Sequence, residues 1–222
     1  LGIGGPRIED VADAAFSLRV TQENATEAKL EPVIKELKGI RPIVGLSINT
    51  IVRRKFGDPE RHDQIFYEFI SYLIGKGFNV VVIPHALREG YQGTHNNDLK
   101  IAEGLVSKFR SSEVGLVRTN YDCKTLRKIV GELDFYVACR FHSMISCLCE
   151  FVPAIYVGWG SQKYLEVLDS FELGYLYVDA RQLSVESLIE KWELLERDKV
   201  ACVRQMKEGI ATVQDSSMKN HI

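Results

Sequence analysis

The sequence predicts an α/β fold, a doubly wound parallel sheet. Two observations carry that expectation. Short apolar runs alternate with longer helix-patterned segments about five times along the chain. The apolar runs are nearly continuous, which is the signature of strands covered on both faces.

Residues 1–39 read as an N-terminal arm. Within it, Val11 to Val20 is apolar enough for a strand or a buried extended segment, Thr21 to Lys29 reads as a polar loop, and Glu31 to Leu37 as a short helix stopped by Gly39. Regular alternation then begins. Ile43 to Ile48 is a buried strand, followed by a loop with Arg53, Arg54 and Lys55. Asp58-Pro59 opens a helix whose stripe is Ile65, Phe66, Phe69, Ile70 and Leu73. Phe78 to Ile83 is the second strand, and a polar loop through Tyr91 and Gly93 leads to a helix near Asn97 to Phe109. Val114 to Val117 is a short third strand, and Asp122 caps the helix that ends at Gly131. Phe135 to Cys139 and Pro153 to Val157 are strands flanking a helix that runs to Glu150, and Tyr164 to Leu168 is helical. A last strand covers Tyr175 to Val178. Ser184 then caps a helical region with two apolar stripes, the second containing Val200, Val203, Met206, Ile210 and Val213. The charged stretch Glu196 to Lys199 between the stripes predicts a bend, and Asp215 to His221 reads as frayed. This organisation divides the chain into the arm, a Rossmann-like domain over 40–183 and a helical region over 184–222.

Composition excludes several classes. A formal net charge of -2 gives no bulk attraction to nucleic acid or to an anionic membrane. No apolar run approaches the roughly 20 residues of a membrane span, and no signal-peptide pattern opens the chain. The chain begins with Leu1, as expected of a processed product or an excised domain. The five cysteines read as reduced thiols of a cytoplasmic protein. Cys147 and Cys149 face different ways on a helix, so no metal site is expected.

Candidate chemistry concentrates between Asp134 and Lys163, just past the carboxyl ends of two strands, where open α/β sheets bind ligands. Arg140, His142 and Ser143 stand at a helix start, which supplies free N–H groups and partial positive charge for an anion. Arg140 adds a planar fork for phosphate or carboxylate. Ser143 adds a hydroxyl, and His142 can exchange a proton near neutral pH. Lys163 follows the Gly158-Trp159-Gly160 turn and adds a point charge. Asn49 and Arg53 follow the first strand and His85 the second, on the same sheet edge. Singly, each of these residues has a bland structural reading; their clustering is what points to a site. No Gly-x-x-x-x-Gly-Lys-Ser/Thr loop, Gly-x-Gly-x-x-Gly turn or Gly-x-Ser-x-Gly elbow is present.

In order along the chain, Leu133-Asp134 to His142, Val152-Pro153, Gly158-Trp159 and Lys163-Tyr164 resemble the polysaccharide pyruvyl transferase family. Ile48-Asn49 and Ile83-Pro84-His85 look like that family's first two strand ends. VADAAFSL at Val11 to Leu18 looks like its Asp-Pro-Ala-Phe-Leu segment, with Ala14 where proline is usual. The resemblance implies a transferase that takes phosphoenolpyruvate, places the pyruvyl group on sugar hydroxyls of a glycan as a ketal and releases phosphate. It implies a fold similar to one lobe of the two-lobed glycosyltransferase B type, with an N-terminal lobe outside this chain. His142 would then be catalytic, and Arg140, Ser143, Lys163, Asn49, His85, Trp159 and Arg53 would bind substrate. No metal and no cofactor beyond the donor phosphoenolpyruvate is implied. Two alternatives share the fold: a nucleotide-sugar glycosyltransferase or epimerase lobe, and a non-catalytic interaction domain.

Overall fold

The computed structural model describes residues 11–29, 31–87, 97–110, 112–160 and 162–221. The residues before Val11, the loop through Tyr91 and Gly93, and His95 lie outside the described residues.

The chain folds as an α/β sandwich around one parallel sheet. Its strands are β1 (Ile43–Ser47), β2 (Asn79–Val82), β3 (Val114–Leu116), β4 (Phe135–Ala138), β5 (Ala154–Gly158) and β6 (Tyr177–Asp179). They lie in the order β3-β2-β1-β4-β5-β6, and every adjacent pair is parallel. The chain starts in the middle, builds outward through β2 and β3, then returns to add β4 on the other side of β1. The crevice at the carboxyl ends of β1 and β4 is therefore the topological switch point. β1, β2, β4 and β5 are buried along their whole length, as their unbroken apolar runs require.

The helices are α1 (Gln22–Lys29), α2 (Pro32–Leu37), α3 (Thr50–Phe56), α4 (Pro59–Gly75), α5 (Leu99–Val106), α6 (Cys123–Gly131), α7 (Phe141–Glu150), α8 (Gln162–Asp169) and α9 (Val185–Met218). Local chemistry sets their starts. Asp58 accepts from Arg61 N at 3.0 Å with Pro59 at the first helical position, and Asp122 accepts from Thr125 N at 2.7 Å. Ser184 and Ser187 form a reciprocal capping box at the start of α9.

Five expectations need correction. The Val11 to Val20 segment is no strand: Ala14–Ser17 is a 3-10 turn capped by Asp13. Arg127 of α6, 4% exposed, donates to the carbonyls of Ala15 and Leu18 and satisfies the segment's backbone without a strand partner. Residues 22–29 and 50–56 are helices rather than loops. Asn24 and Ala28 of α1 are buried, and Asn24 Nδ2 donates to Thr125 Oγ1 at 3.1 Å, so α1 docks on α6. In α3 the buried Val52 and the Asn49 cap outweigh the basic run Arg53 to Lys55. Val200 is 85% exposed and lies outside the second stripe. The bend falls at Asp198 (φ -102°, ψ 15°) and rotates the following turns so that Cys202, Met206 and Val213 face inward. Residues 215–218 continue α9 rather than fray, with Ser217 buried and bonded to Asp13 O at 2.8 Å.

Trp192 of α9 anchors the core. It is fully buried, with ring centroids of Phe135, Phe78 and Phe69 at 5.0, 5.1 and 6.3 Å.

Candidate functional site

The carboxyl edge of β1, β4 and β5 carries a cavity of about 460 Å³. It is lined by Asn49, Ile51, His85, Cys123, Leu126, Arg140, Phe141, His142, Ser146, Trp159, Lys163 and Tyr164. Six of the residues singled out in the sequence thus share one wall: Asn49, His85, Arg140, His142, Trp159 and Lys163. Two do not. Ser143 is fully buried beneath the start of α7. Its hydroxyl donates to Arg140 O at 2.7 Å, accepts from Arg140 N at 3.2 Å and meets Ser47 Oγ at 2.9 Å. Arg53 turns toward α4, where Nε and Nη2 each lie 2.8 Å from an oxygen of Asp63.

The parallel sheet explains the convergence. β1 ends at Ser47, and Asn49 caps α3 by accepting from Ile51 N at 2.8 Å. Its Nδ2 donates to Cys139 O at 2.7 Å and ties the end of β1 to the end of β4. Asn49 is only 4% exposed, so its role in the cavity is to fix these two strand ends. β4 then turns at Arg140 directly into α7, which leaves the N–H groups of its first turn beside the cavity.

Arg140 is already bound by the protein. Its Nε and Nη2 lie 2.7 and 2.6 Å from the two oxygens of Asp98, a carboxylate with no exposed surface. Asp98 also accepts from Thr50 N at 3.1 Å and Ala86 N at 3.2 Å. It therefore fastens the loop after β2, the start of α3 and the start of α7 to one another. Among the described residues, Nη1 of Arg140 has no hydrogen-bond partner, which leaves one face of the guanidinium for a ligand.

Lys163 and His142 converge on Asp13. Lys163 Nζ lies 2.9 Å from Asp13 Oδ2 and 3.9 Å from the Phe141 ring centroid. His142, with its side chain 70% exposed, places Nε2 at 3.9 Å from Asp13 Oδ1. Burial raises the Asp13 carboxyl, but the hydrogen bonds from Lys163 and from Ala15 N outweigh it and hold the group below the usual carboxylate range.

His85 takes a different role. Its Nε2 meets the Tyr136 hydroxyl at 2.9 Å. Burial, helped by the neighbouring Arg140 and His142, drives its ring down to about 3, so it is neutral at ordinary pH. Tyr136 reaches it across Gly45: a Cβ on that glycine would fall 2.5 Å from Tyr136 Cε2 and from Leu133 Cδ1. Trp159 is 40% exposed, and Lys55 of α3 sits over its ring at 5.3 Å.

Cys139 and Cys147 are fully buried, and burial pushes both thiols up, so neither is a nucleophile at neutral pH. Among the described residues no three His, Cys, Asp or Glu side chains gather in a metal-binding group. No helix among them is long and apolar enough to cross a membrane.

Asp98, Asp13 and Tyr136 are the site residues that sequence reasoning did not single out. Asp98 precedes an amphipathic helix and looks like an ordinary cap. Asp13 was visible only as part of a family-like segment. Tyr136 is one residue of an apolar strand.

A parallel sheet in this order, with a cavity at its switch point, defines a Rossmann-like α/β domain, similar in fold to one lobe of the glycosyltransferase B type. Solved structures agree on the fold. The glycosyl transferase family 9 protein from Veillonella parvula superposes with a TM-score of 0.54 at 13% identity, over 82% of this chain and 53% of that one. The ADP-heptose lps heptosyltransferase II of E. coli gives 0.56 at 11% identity, over 82% and 54%. An alpha,alpha-trehalose-phosphate synthase (UDP-forming) from Burkholderia vietnamiensis gives 0.60 at 12% identity, over 95% and 50%. The chain thus spans about half the length of these neighbours. No curated protein matches the sequence. The chain belongs to the polysaccharide pyruvyl transferase family, which it matches over residues 1–161.

Proposed function

We propose that the chain is the donor-binding lobe of an enzyme that moves the pyruvyl group of phosphoenolpyruvate onto sugar hydroxyls of a glycan as a ketal. The observation that carries this reading is the meeting of Arg140, His142 and Lys163 at the start of α7, in one cavity of a chain of this family. Residues 1–39 are then the end of an N-terminal lobe, 40–183 the donor-binding domain and 184–222 a helical region packed across it.

Phosphoenolpyruvate carries a carboxylate and a phosphate. The first-turn N–H groups of α7 and the open side of Arg140 suit one anion, and Lys163 suits the other. Ketal formation adds a proton to the methylene carbon and bonds two sugar hydroxyl oxygens to the adjacent carbon. The first oxygen adds across the double bond and the second takes the place of phosphate, which departs as its oxygen–carbon bond breaks; of the two hydroxyl protons lost, one is balanced by the new methyl C–H and the other leaves with phosphate. His142, exposed on the cavity wall, is the proton carrier for one of these transfers. Neutral His85 with Tyr136 shapes the far side.

Titration calorimetry with phosphoenolpyruvate, ADP and UDP tests the reading. Phosphoenolpyruvate is expected to bind, and Lys163→Ala to weaken it about tenfold, or ~1.4 kcal/mol. Tight nucleotide binding without phosphoenolpyruvate binding would move the chain to the nucleotide-sugar transferases. Binding of neither ligand would favour an interaction domain.

A further inference from the structure

Tyr136 stands in β4 with no exposed surface. A phenylalanine would fill such a place without a polar atom to satisfy, whereas a buried phenol needs a hydrogen-bond partner. That partner is His85, whose Nε2 lies 2.9 Å from the hydroxyl, with the two rings at 88°. The contact is built from both sides. Gly45, the register partner of Tyr136 on β1, leaves the room that the phenol ring takes. The backbone just after His85 is fixed, because Ala86 N donates to Asp98 Oδ2 at 3.2 Å and Asp98 N donates to Ala86 O at 2.8 Å.

Resting on the donor reading above, we propose that Tyr136 is a positioning residue: it holds His85 as the Nδ1–H tautomer, so that His85 presents an uncharged N–H to the donor cavity. Three steps lead there. First, the hydroxyl hydrogen of Tyr136 goes to His85. Ser47 also stands beside the phenol, but its own hydrogen is spent. Ser143 donates to Arg140 O at 2.7 Å, so the 2.9 Å contact between the two serine hydroxyls is donated by Ser47. Ser47 Oγ already accepts from Cys139 N at 2.9 Å. Of the pair that remains, the phenol is the stronger acid and the imidazole nitrogen the stronger base, so O–H···N is the favoured sense.

Second, a neutral ring that accepts at Nε2 carries its hydrogen on Nδ1. Burial, with Arg140 and His142 close by, keeps the ring neutral at ordinary pH. Third, Nδ1 is the nitrogen left for a ligand. His85 lines the donor cavity while its Nε2 is turned to the core, and among the described residues Nδ1 has no hydrogen-bond partner. The N–H therefore joins the open side of Arg140 on one wall. It adds a fixed donor for an anionic oxygen of phosphoenolpyruvate without adding a second charge.

The test is long-range proton–nitrogen correlation NMR of the His85 ring in this chain near neutral pH. The ring should show a protonated Nδ1 and a bare Nε2. Tyr136→Phe keeps the ring packing and removes the hydroxyl. It should release His85 toward Nε2–H, the form free histidine side chains prefer. It should also weaken phosphoenolpyruvate binding in calorimetry about tenfold, as loss of a hydrogen bond to a charged group does. Two further variants read where the donor sits. An asparagine amide reaches the place of Nδ1 and a glutamine amide that of Nε2, so His85→Asn should keep more affinity than His85→Gln. The proposal is overturned if the native ring carries its hydrogen on Nε2, or if His85→Gln outperforms His85→Asn. It is also overturned if Tyr136→Phe lowers the melting temperature and leaves the tautomer unchanged, the result of a purely structural tyrosine. The nitrogen pattern is read without ligand. An Nδ1–H ring that depends on Tyr136, in a chain that binds no phosphoenolpyruvate, would therefore sustain the positioning role and refute the donor reading alone.

Discussion

Arg140 grips both oxygens of Asp98, and the carboxylate it grips has no exposed surface. The residue that looks most like an anion anchor is thus first a structural clasp. Removing either partner strands the other's charge, which costs about 3–5 kcal/mol when the remaining charge is buried. Asp98→Ala should lower stability by that order in urea unfolding. Arg140→Lys should recover little, because an ammonium cannot satisfy both oxygens in one plane. A loss below about 1 kcal/mol in Asp98→Ala, the level of a surface pair, would show that the clasp is solvated.

Gly45 sits in the centre of β1 because Tyr136 of β4 lies across it. Gly45→Ala should cost about 1–3 kcal/mol as overpacking. It should also push the Tyr136 hydroxyl away from His85. Thermal unfolding gives the first number, and the His85 ring resonances report the second. An unchanged melting temperature together with an unchanged His85 spectrum would contradict the close approach.

His85 predicts a pH dependence. Its ring falls from an ordinary 6.5 to about 3 in the folded chain, so the unfolded chain binds the extra proton first. The neutral ring's contribution to stability is therefore complete above pH 6.5 and declines as pH falls from 6.5 toward 3. His85→Gln should flatten that acid limb in denaturation midpoints taken across the window. In the native chain the His85 ring protons should not titrate between about pH 5 and 8. A midpoint near 6.5 in their shifts would refute this assignment.

Trp192 joins α9 to the sheet through Phe69, Phe78 and Phe135. Trp192→Ala should destabilise by about 3–5 kcal/mol, and Trp192→Phe by less, since the residual cavity is smaller. Circular dichroism on urea titration distinguishes the two. Equal losses would mean that the indole is held by something other than ring packing.

How much of this was legible depended on whether the signal was local. Strands buried on both faces announce themselves as apolar runs, so β1, β2, β4 and β5 could be read directly. The start of α7 could be placed because a strand ran straight into Arg140 and His142. Sheet order is a pairing property and has no local signature. α3 was hidden because Arg53, Arg54 and Lys55 mask a helix held by one cap and one buried valine. Val11 to Val20 misled because the Ala15 and Leu18 carbonyls are satisfied by Arg127 and the segment packs on α9, with Phe16 its one buried side chain, rather than pairing with a neighbouring strand. In the site, Arg140, His142 and Lys163 could be identified by residue type and position. Their carboxylate partners Asp98 and Asp13 are 42 and 150 residues away from Arg140 and Lys163, a separation that only the fold closes.

The break at Asp198 splits α9 into two halves with separate tasks. The proximal half is fastened to the sheet by Trp192, and the distal half, buried at Cys202, Met206 and Val213, holds the Asp13 segment through Ser216 and Ser217. The position of Asp13 beside Lys163 and His142 is therefore set by the far end of α9 rather than by the strands that shape the rest of the cavity.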